Sequence, residues 1–181
     1  MKIIGGNTAA IIIDYQERLL PVISEKERIL QNTVKLIKGL QILSIPMIIT
    51  QQYTKGLGNT VSEITEAAGT ADFIDKLTFS CFQNSQVRES IEKNPQKNTI
   101  LLCGIETHIC VLQTALDLKA AGYQPVMVTD CMSSRKEADH QTALQRAIQE
   151  NIVVTTYESV LFELMVHAKC DGFKQISALI K

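Results

Sequence analysis

The sequence predicts one α/β domain over residues 1–181, a mostly parallel sheet with helices packed on both faces. Three observations carry this. Short apolar runs alternate with segments of helical period from one end of the chain to the other. The runs are aliphatic: aromatic residues make up 5% of the chain and Trp is absent, so Ile, Leu, Val and Ala must build the core, as suits strands buried on both faces. No linker, repeat or low-complexity tract divides the chain, and 181 residues is the length of one domain with a sizeable core.

The elements follow in order. Thr8–Ile13 (TAAIII) reads as a buried strand. Ser24 with Glu27 makes a capping box for a helix to about Leu43, in which Leu30, Val34, Ile37 and Leu40 share one face. Pro46–Thr50 is the second strand, and Gln51–Asn59 (QQYTKGLGN) a loop. Residues 60–71 read as weakly helical or irregular, and Phe73–Phe82 (FIDKLTFSCF) as a short strand and a loop. Ser85 opens a helix through about Lys93. Asn98–Cys103 is the clearest buried strand, and the helix Thr107–Ala121 follows it, ended by Gly122 at C′. Pro125–Thr129 and Asn151–Thr155 are strands on either side of a helix over Lys136–Glu150, and short helices at Ser159–Val166 and Phe173–Ile180 complete the chain.

Composition narrows the partners. The net charge is −1 and no Lys/Arg stripe stands out, which argues against a nucleic-acid surface. No stretch reaches the roughly 18 apolar residues of a membrane span, and the first residues lack a signal-peptide layout. The five Cys are odd in number and form no CxxC pair. They are expected to be reduced, mostly inert thiols of a cytoplasmic protein.

In a parallel α/β sheet the chemistry collects beyond the carboxyl ends of the strands. Asp14 directly follows TAAIII, as a site carboxylate or as a turn residue. Gln51, Gln52 and Tyr53 follow the second strand, as pocket lining or as a solvated loop. Lys76 lies in the third region, as a site group or as one more surface Lys. After NTILLC come Gly104, Ile105, Glu106, Thr107, His108, Ile109 and then Cys110, at or near the first turn of the next helix. Such a position favours thiolate through the helix dipole and offers backbone N–H groups to an oxyanion. The plainer reading is a small thiol packed under the helix. Cys103 ends an apolar strand and reads as core; Cys81, Cys131 and Cys170 have no comparable setting, although Cys131 also follows a strand end. His108, His140 and His167 share no strand-end position with Cys110. Asp14, Lys76 and Cys110 nevertheless make a workable set: the carboxylate accepts the thiol proton and returns it to a leaving amine, and the ammonium favours both anions.

Three segments, AAIIIDYQ around Asp14, DKLTFSCF around Lys76 and LLCGIETHICVLQTALDL around Cys110, resemble the isochorismatase-like cysteine hydrolase superfamily in order and spacing. The GIETHICV block and the QQYTKGLG loop are most similar to the small isochorismatase domain-containing hydrolases of unassigned substrate. The resemblance implies a six-stranded parallel sheet in a three-layer α/β/α sandwich. It implies Asp14 as general base, Lys76 as electrostatic partner and Cys110 as nucleophile of an acyl-enzyme. It also implies a cis peptide bond between Ile105 and Glu106, which turns the N–H of residue 106 toward the oxyanion beside that of Cys110. Gln16, Gln52, Tyr53, Phe79, Phe82 and His108 are the expected pocket residues, and a homo-oligomer, dimer or tetramer, the expected assembly. Metal-binding relatives carry Asp-x-His after the second strand; Gln51-Gln52-Tyr53 stands there, so neither a metal nor another cofactor is expected. True isochorismatases lack the nucleophilic Cys, so Cys110 argues against vinyl-ether hydrolysis. The expected activity is hydrolysis of a small amide or carbamoyl C–N bond. Two alternatives stand beside it: a binding or scaffold protein without turnover, and a redox-sensing thiol whose sulfenic acid would be its working state.

Overall fold

The computed structural model describes residues 1–69 and 72–181. Six strands among them form one sheet: β1 (Thr8–Ile13), β2 (Met47–Gln52), β3 (Ile74–Lys76), β4 (Thr99–Ile105), β5 (Gln124–Ser133) and β6 (Val153–Thr155). Their order is β3-β2-β1-β4-β5-β6 and every pair is parallel. The chain winds outward from β1 in one direction and from β4 in the other. The point where the order reverses therefore lies between β1 and β4, where a parallel sheet opens a crevice at its carboxyl edge.

The unbroken run in β1 is explained by burial on both sides. Ala10 and Ile12 pack into one core with Leu36, Ile37 and Leu40 of α1 (Lys26–Ile42) and with Val160 and Leu161 of α7 (Tyr157–Met165). Ile11 and Ile13 pack into the other with Val111, Ala115 and Leu118, the last two on α5 (Leu112–Ala120), and with Ala143 and Ala147 of α6 (Glu137–Gln149). Two cores on opposite faces of one sheet make the three-layer sandwich. Among the described residues, no helix is long and apolar enough to cross a membrane.

Several boundaries differ from the sequence reading. Ser24 caps nothing: its hydroxyl donates to Arg135 O at 3.0 Å and its N–H to Ser134 O at 3.1 Å. The N-cap of α1 is Glu25, left-handed at φ 56° and without a side-chain cap. Tertiary ties to the turn after β5 override the capping box. Gln51 and Gln52 belong to β2, because they pair with Asp75 and Lys76 of β3. Residues 54–57 form a helical turn, and Ser62–Ala68 a helix ended by Gly69; the expectation for residues 70 and 71 lies outside the described residues. β5 runs four residues past Thr129, so Cys131 lies within it instead of beyond it. Its register on β4 shifts between Leu102 and Gly104, which lets one strand carry the extra residues.

Gly104 of β4 pairs with Ile13 of β1 and lies tight against it. Its φ is +139°, and a Cβ there would overlap the carbonyl oxygen and side chain of Ile13. Only Gly holds this conformation without strain. Gly104→Ala is expected to cost at least ~2 kcal/mol and to lower Tm by about 5 °C or more in a thermal melt.

Candidate active site

Three segments bring the site together at the carboxyl edge. Asp14 follows β1 in the left-handed region at φ 58°, a conformation Asp tolerates better than most residues, and its N–H donates to Thr50 O at 3.2 Å. Lys76 ends β3. Cys110 lies in a π-helical turn, Thr107–Val111, that connects β4 to α5; the Val111 N–H reaches back to Glu106 O at 3.3 Å. The peptide bond between Ile105 and Glu106 is cis.

The side chains of Asp14 and Lys76 are fully buried, and Cys110 is 5% exposed. Lys76 Nζ donates to Asp14 Oδ2 at 2.6 Å and to Gln52 Oε1 at 2.7 Å, and lies 3.7 Å from Cys110 Sγ. The carbonyls of Thr78 and Phe79 also face the ammonium, each at 3.3 Å. The Thr50 hydroxyl donates to Asp14 Oδ1 at 2.7 Å, so both carboxylate oxygens are held. Burial works against the Lys76 charge, but the Asp14 carboxylate outweighs it and raises its pKa; the ammonium persists through neutral pH. The thiol behaves differently from the sequence expectation. Burial first, then the negative charge of Asp14, push the Cys110 pKa well up, against a smaller lowering by Lys76. The helix-start effect does not win. The resting group is therefore a neutral thiol beside a carboxylate, and it needs a base to become a nucleophile.

The expected pocket residues divide by burial. Gln16 is fully buried and committed to backbone. Its amide donates to Gln52 O and Gly58 O at 3.0 and 2.7 Å, and its oxygen accepts from the Gln52 N–H at 2.7 Å. Gln52 turns its side-chain oxygen to Lys76 and its amide to Leu77 O at 3.0 Å, so it helps to hold the ammonium. Phe82 packs edge-on to Tyr123. Tyr53 and Phe79 are half exposed, joined by Leu77, which is more exposed still. His108 shares a 2.9 Å hydrogen bond between Nδ1 and Ser134 Oγ, and His140 one between Nδ1 and Thr107 Oγ1; burial lowers the His140 pKa.

Sequence reasoning passed over Thr50 and Thr114, set Cys81 aside, and named Glu106 for its backbone N–H and not for its carboxylate. Thr50 holds Asp14. Thr114 accepts from the Cys81 N–H at 2.8 Å and donates to Cys110 O at 2.6 Å. Cys81 is fully buried near the same ion pair, its Sγ 3.7 Å from Thr50 Oγ1, and burial with the Asp14 charge raises its pKa to about 11. Glu106 is buried, and its carboxylate accepts from Arg135 N at 2.8 Å and Nε at 3.1 Å, which fastens the turn before Cys110 to the end of β5. Thr50 alone left a signal, a hydroxyl at the end of the apolar run Met47–Ile49. Among the described residues, no group of three or more His, Cys, Asp or Glu stands where it could hold a metal ion.

The model of the isochorismatase domain matches residues 8–159. A secreted isochorismatase effector of Phytophthora sojae is 36% identical over 99% of this chain and 87% of its own length. Isochorismatase domain-containing protein 1 of Salmo salar is 38% identical over 99% of this chain, which spans 63% of that relative. The solved structure of the MAR1 ribonuclease from Caenorhabditis elegans superposes with a TM-score of 0.93 at 32% identity, covering 99% of this chain and 92% of the other.

Proposed function

Since the chain belongs to the isochorismatase domain family, a hydrolase family, we propose that it is a cysteine-dependent hydrolase that cleaves the C–N bond of a small amide or carbamoyl compound. The observation that carries this reading is the buried Asp14–Lys76 pair at 2.6 Å with Cys110 Sγ 3.7 Å from the ammonium.

Asp14 takes the thiol proton as Sγ attacks the carbonyl carbon. The negative charge that leaves the thiol arrives on the substrate oxygen, where the N–H groups of Glu106 and Cys110 receive it. Collapse of the tetrahedral species breaks the C–N bond, and Asp14 returns the proton to the leaving nitrogen. Water then attacks the thioester, again giving a proton to Asp14; the acid departs and the proton goes back to sulfur. Lys76, bonded to Asp14 Oδ2, is the cation that faces the carboxylate between these transfers. A raised thiol pKa suits this sequence, since proton transfer and attack are concerted and no reactive thiolate stands idle. The buried Lys76 ammonium is already paired with Asp14 and so is not held in reserve for a phosphodiester. RNA is the control substrate expected to remain intact.

Intact-mass spectrometry during a screen of small amides, carbamoyl compounds and vinyl ethers tests the reading. An acyl adduct on Cys110 with matching amine release is the expected result. Turnover of vinyl ethers alone, with no adduct, would overturn it. The homo-oligomer is part of the same proposal and would show as a mass of two or four times 20.1 kDa in solution.

A further inference from the structure

Among the described residues, one buried side-chain oxygen or nitrogen has no hydrogen-bond partner: Ser80 Oγ. Ser80 is 3% exposed, whereas residues 77–79 before it face solvent. Leaving a buried hydroxyl unpaired costs about 1–3 kcal/mol, and native structures seldom tolerate it without a reason. The place of Ser80 supplies one. The Phe79 carbonyl before it is 3.3 Å from the Lys76 ammonium, itself 3.7 Å from Cys110 Sγ. The Cys81 N–H after it bonds the Thr114 hydroxyl, which bonds Cys110 O. Ser80 is thus bracketed by two groups that each reach Cys110 through a single intermediary. It also precedes the 3-10 turn Cys81–Gln83 without capping it, so the hydroxyl has no local duty.

We infer that the Ser80 hydroxyl is a substrate-binding group, left unpaired in the free protein to hydrogen-bond the amide group of a carboxamide or carbamoyl substrate seated on Cys110. A hydroxyl both donates and accepts, so it serves either the N–H or the carbonyl of that group. A site that leaves a polar group unpaired until its substrate arrives rejects analogues lacking the matching group. The inference rests on the proposed hydrolase reading and narrows it, because a vinyl ether offers no such amide.

Two thiol reagents separate the outcomes. Iodoacetamide brings a carboxamide to Sγ; methyl methanethiosulfonate brings none. Rates of Cys110 modification are followed by peptide mass spectrometry for the wild type, Ser80→Ala and Ser80→Thr. Ser80→Ala is expected to slow iodoacetamide about tenfold relative to the thiosulfonate, the worth of one hydrogen bond. Ser80→Thr keeps the hydroxyl and with it the wild-type ratio. Ser80→Ala is also expected to melt no lower than the wild type, because it removes an unpaired group. An unchanged reagent ratio, or a clear fall in Tm, would overturn the inference while leaving the nucleophile intact. Failure of both reagents to modify Cys110 in the wild type would instead remove the hydrolase reading beneath it.

Discussion

Cys110→Ser is expected to lower kcat on any amide the wild type turns over by at least ~10³-fold and to abolish the acyl adduct, with Tm within a few degrees of the wild type. The size follows from the arrangement around the sulfur. Asp14 and the Glu106 and Cys110 N–H groups remain in the variant, but the nucleophile becomes a hydroxyl, far harder to deprotonate than a thiol, with a carboxylate as its only base. The thiol's own pKa supplies a second readout. Because burial and Asp14 raise it, alkylation of wild-type Cys110 should keep accelerating as pH rises beyond the ordinary thiol range, with no plateau near pH 8–9. A plateau below pH 7 would mean a standing thiolate. That would contradict proton transfer to Asp14 at the moment of attack and would favour the redox-sensing alternative, since thiolates oxidise readily.

How much of this was legible in the chain depends on what kind of signal each part leaves. The sheet was readable because burial on both faces demands unbroken aliphatic runs, and TAAIII and TILLC supply them. Asp14, Lys76 and Cys110 could be named because strand ends are countable in a β-α-β series, and their geometry agrees with the grouping. Boundaries set by pairing were less visible. Gln51 and Gln52 look like loop residues until β3 lies beside them, and Ser24 looks like a cap until the turn after β5 claims its hydroxyl. The contacts of Gln16 and Gln52 were hidden for a related reason: a polar side chain near a site can serve the backbone or an ammonium, and only the fold shows which. The thiol's raised pKa was out of reach as well. It results from desolvation and a charge brought from 96 residues away in sequence, neither of which local helix-dipole reasoning contains.

Lys76→Met is expected to destabilise the protein by about 3–5 kcal/mol, because it strands the fully buried Asp14 carboxylate with only the neutral Thr50 hydroxyl and Cys110 thiol as side-chain donors. In a chain of this size that is a fall in Tm of roughly 6–20 °C. Asp14→Asn strands the ammonium instead, though Gln52 and two carbonyls still solvate it, so its loss should be smaller. The double variant Asp14→Asn, Lys76→Met decides what the pair is for. Removing both charges together relieves the penalty of burying either alone, and the double variant should melt above Lys76→Met and near the wild type, a coupling of more than ~1 kcal/mol in the cycle. Its amide turnover should be absent all the same, since neither the base nor its cationic partner remains. Stability recovered without activity would identify the pair as chemical machinery that the fold tolerates. If the double variant were as unstable as the sum of the singles, Asp14 and Lys76 would be independent structural residues, and the proposed proton path through Asp14 would lose its foundation.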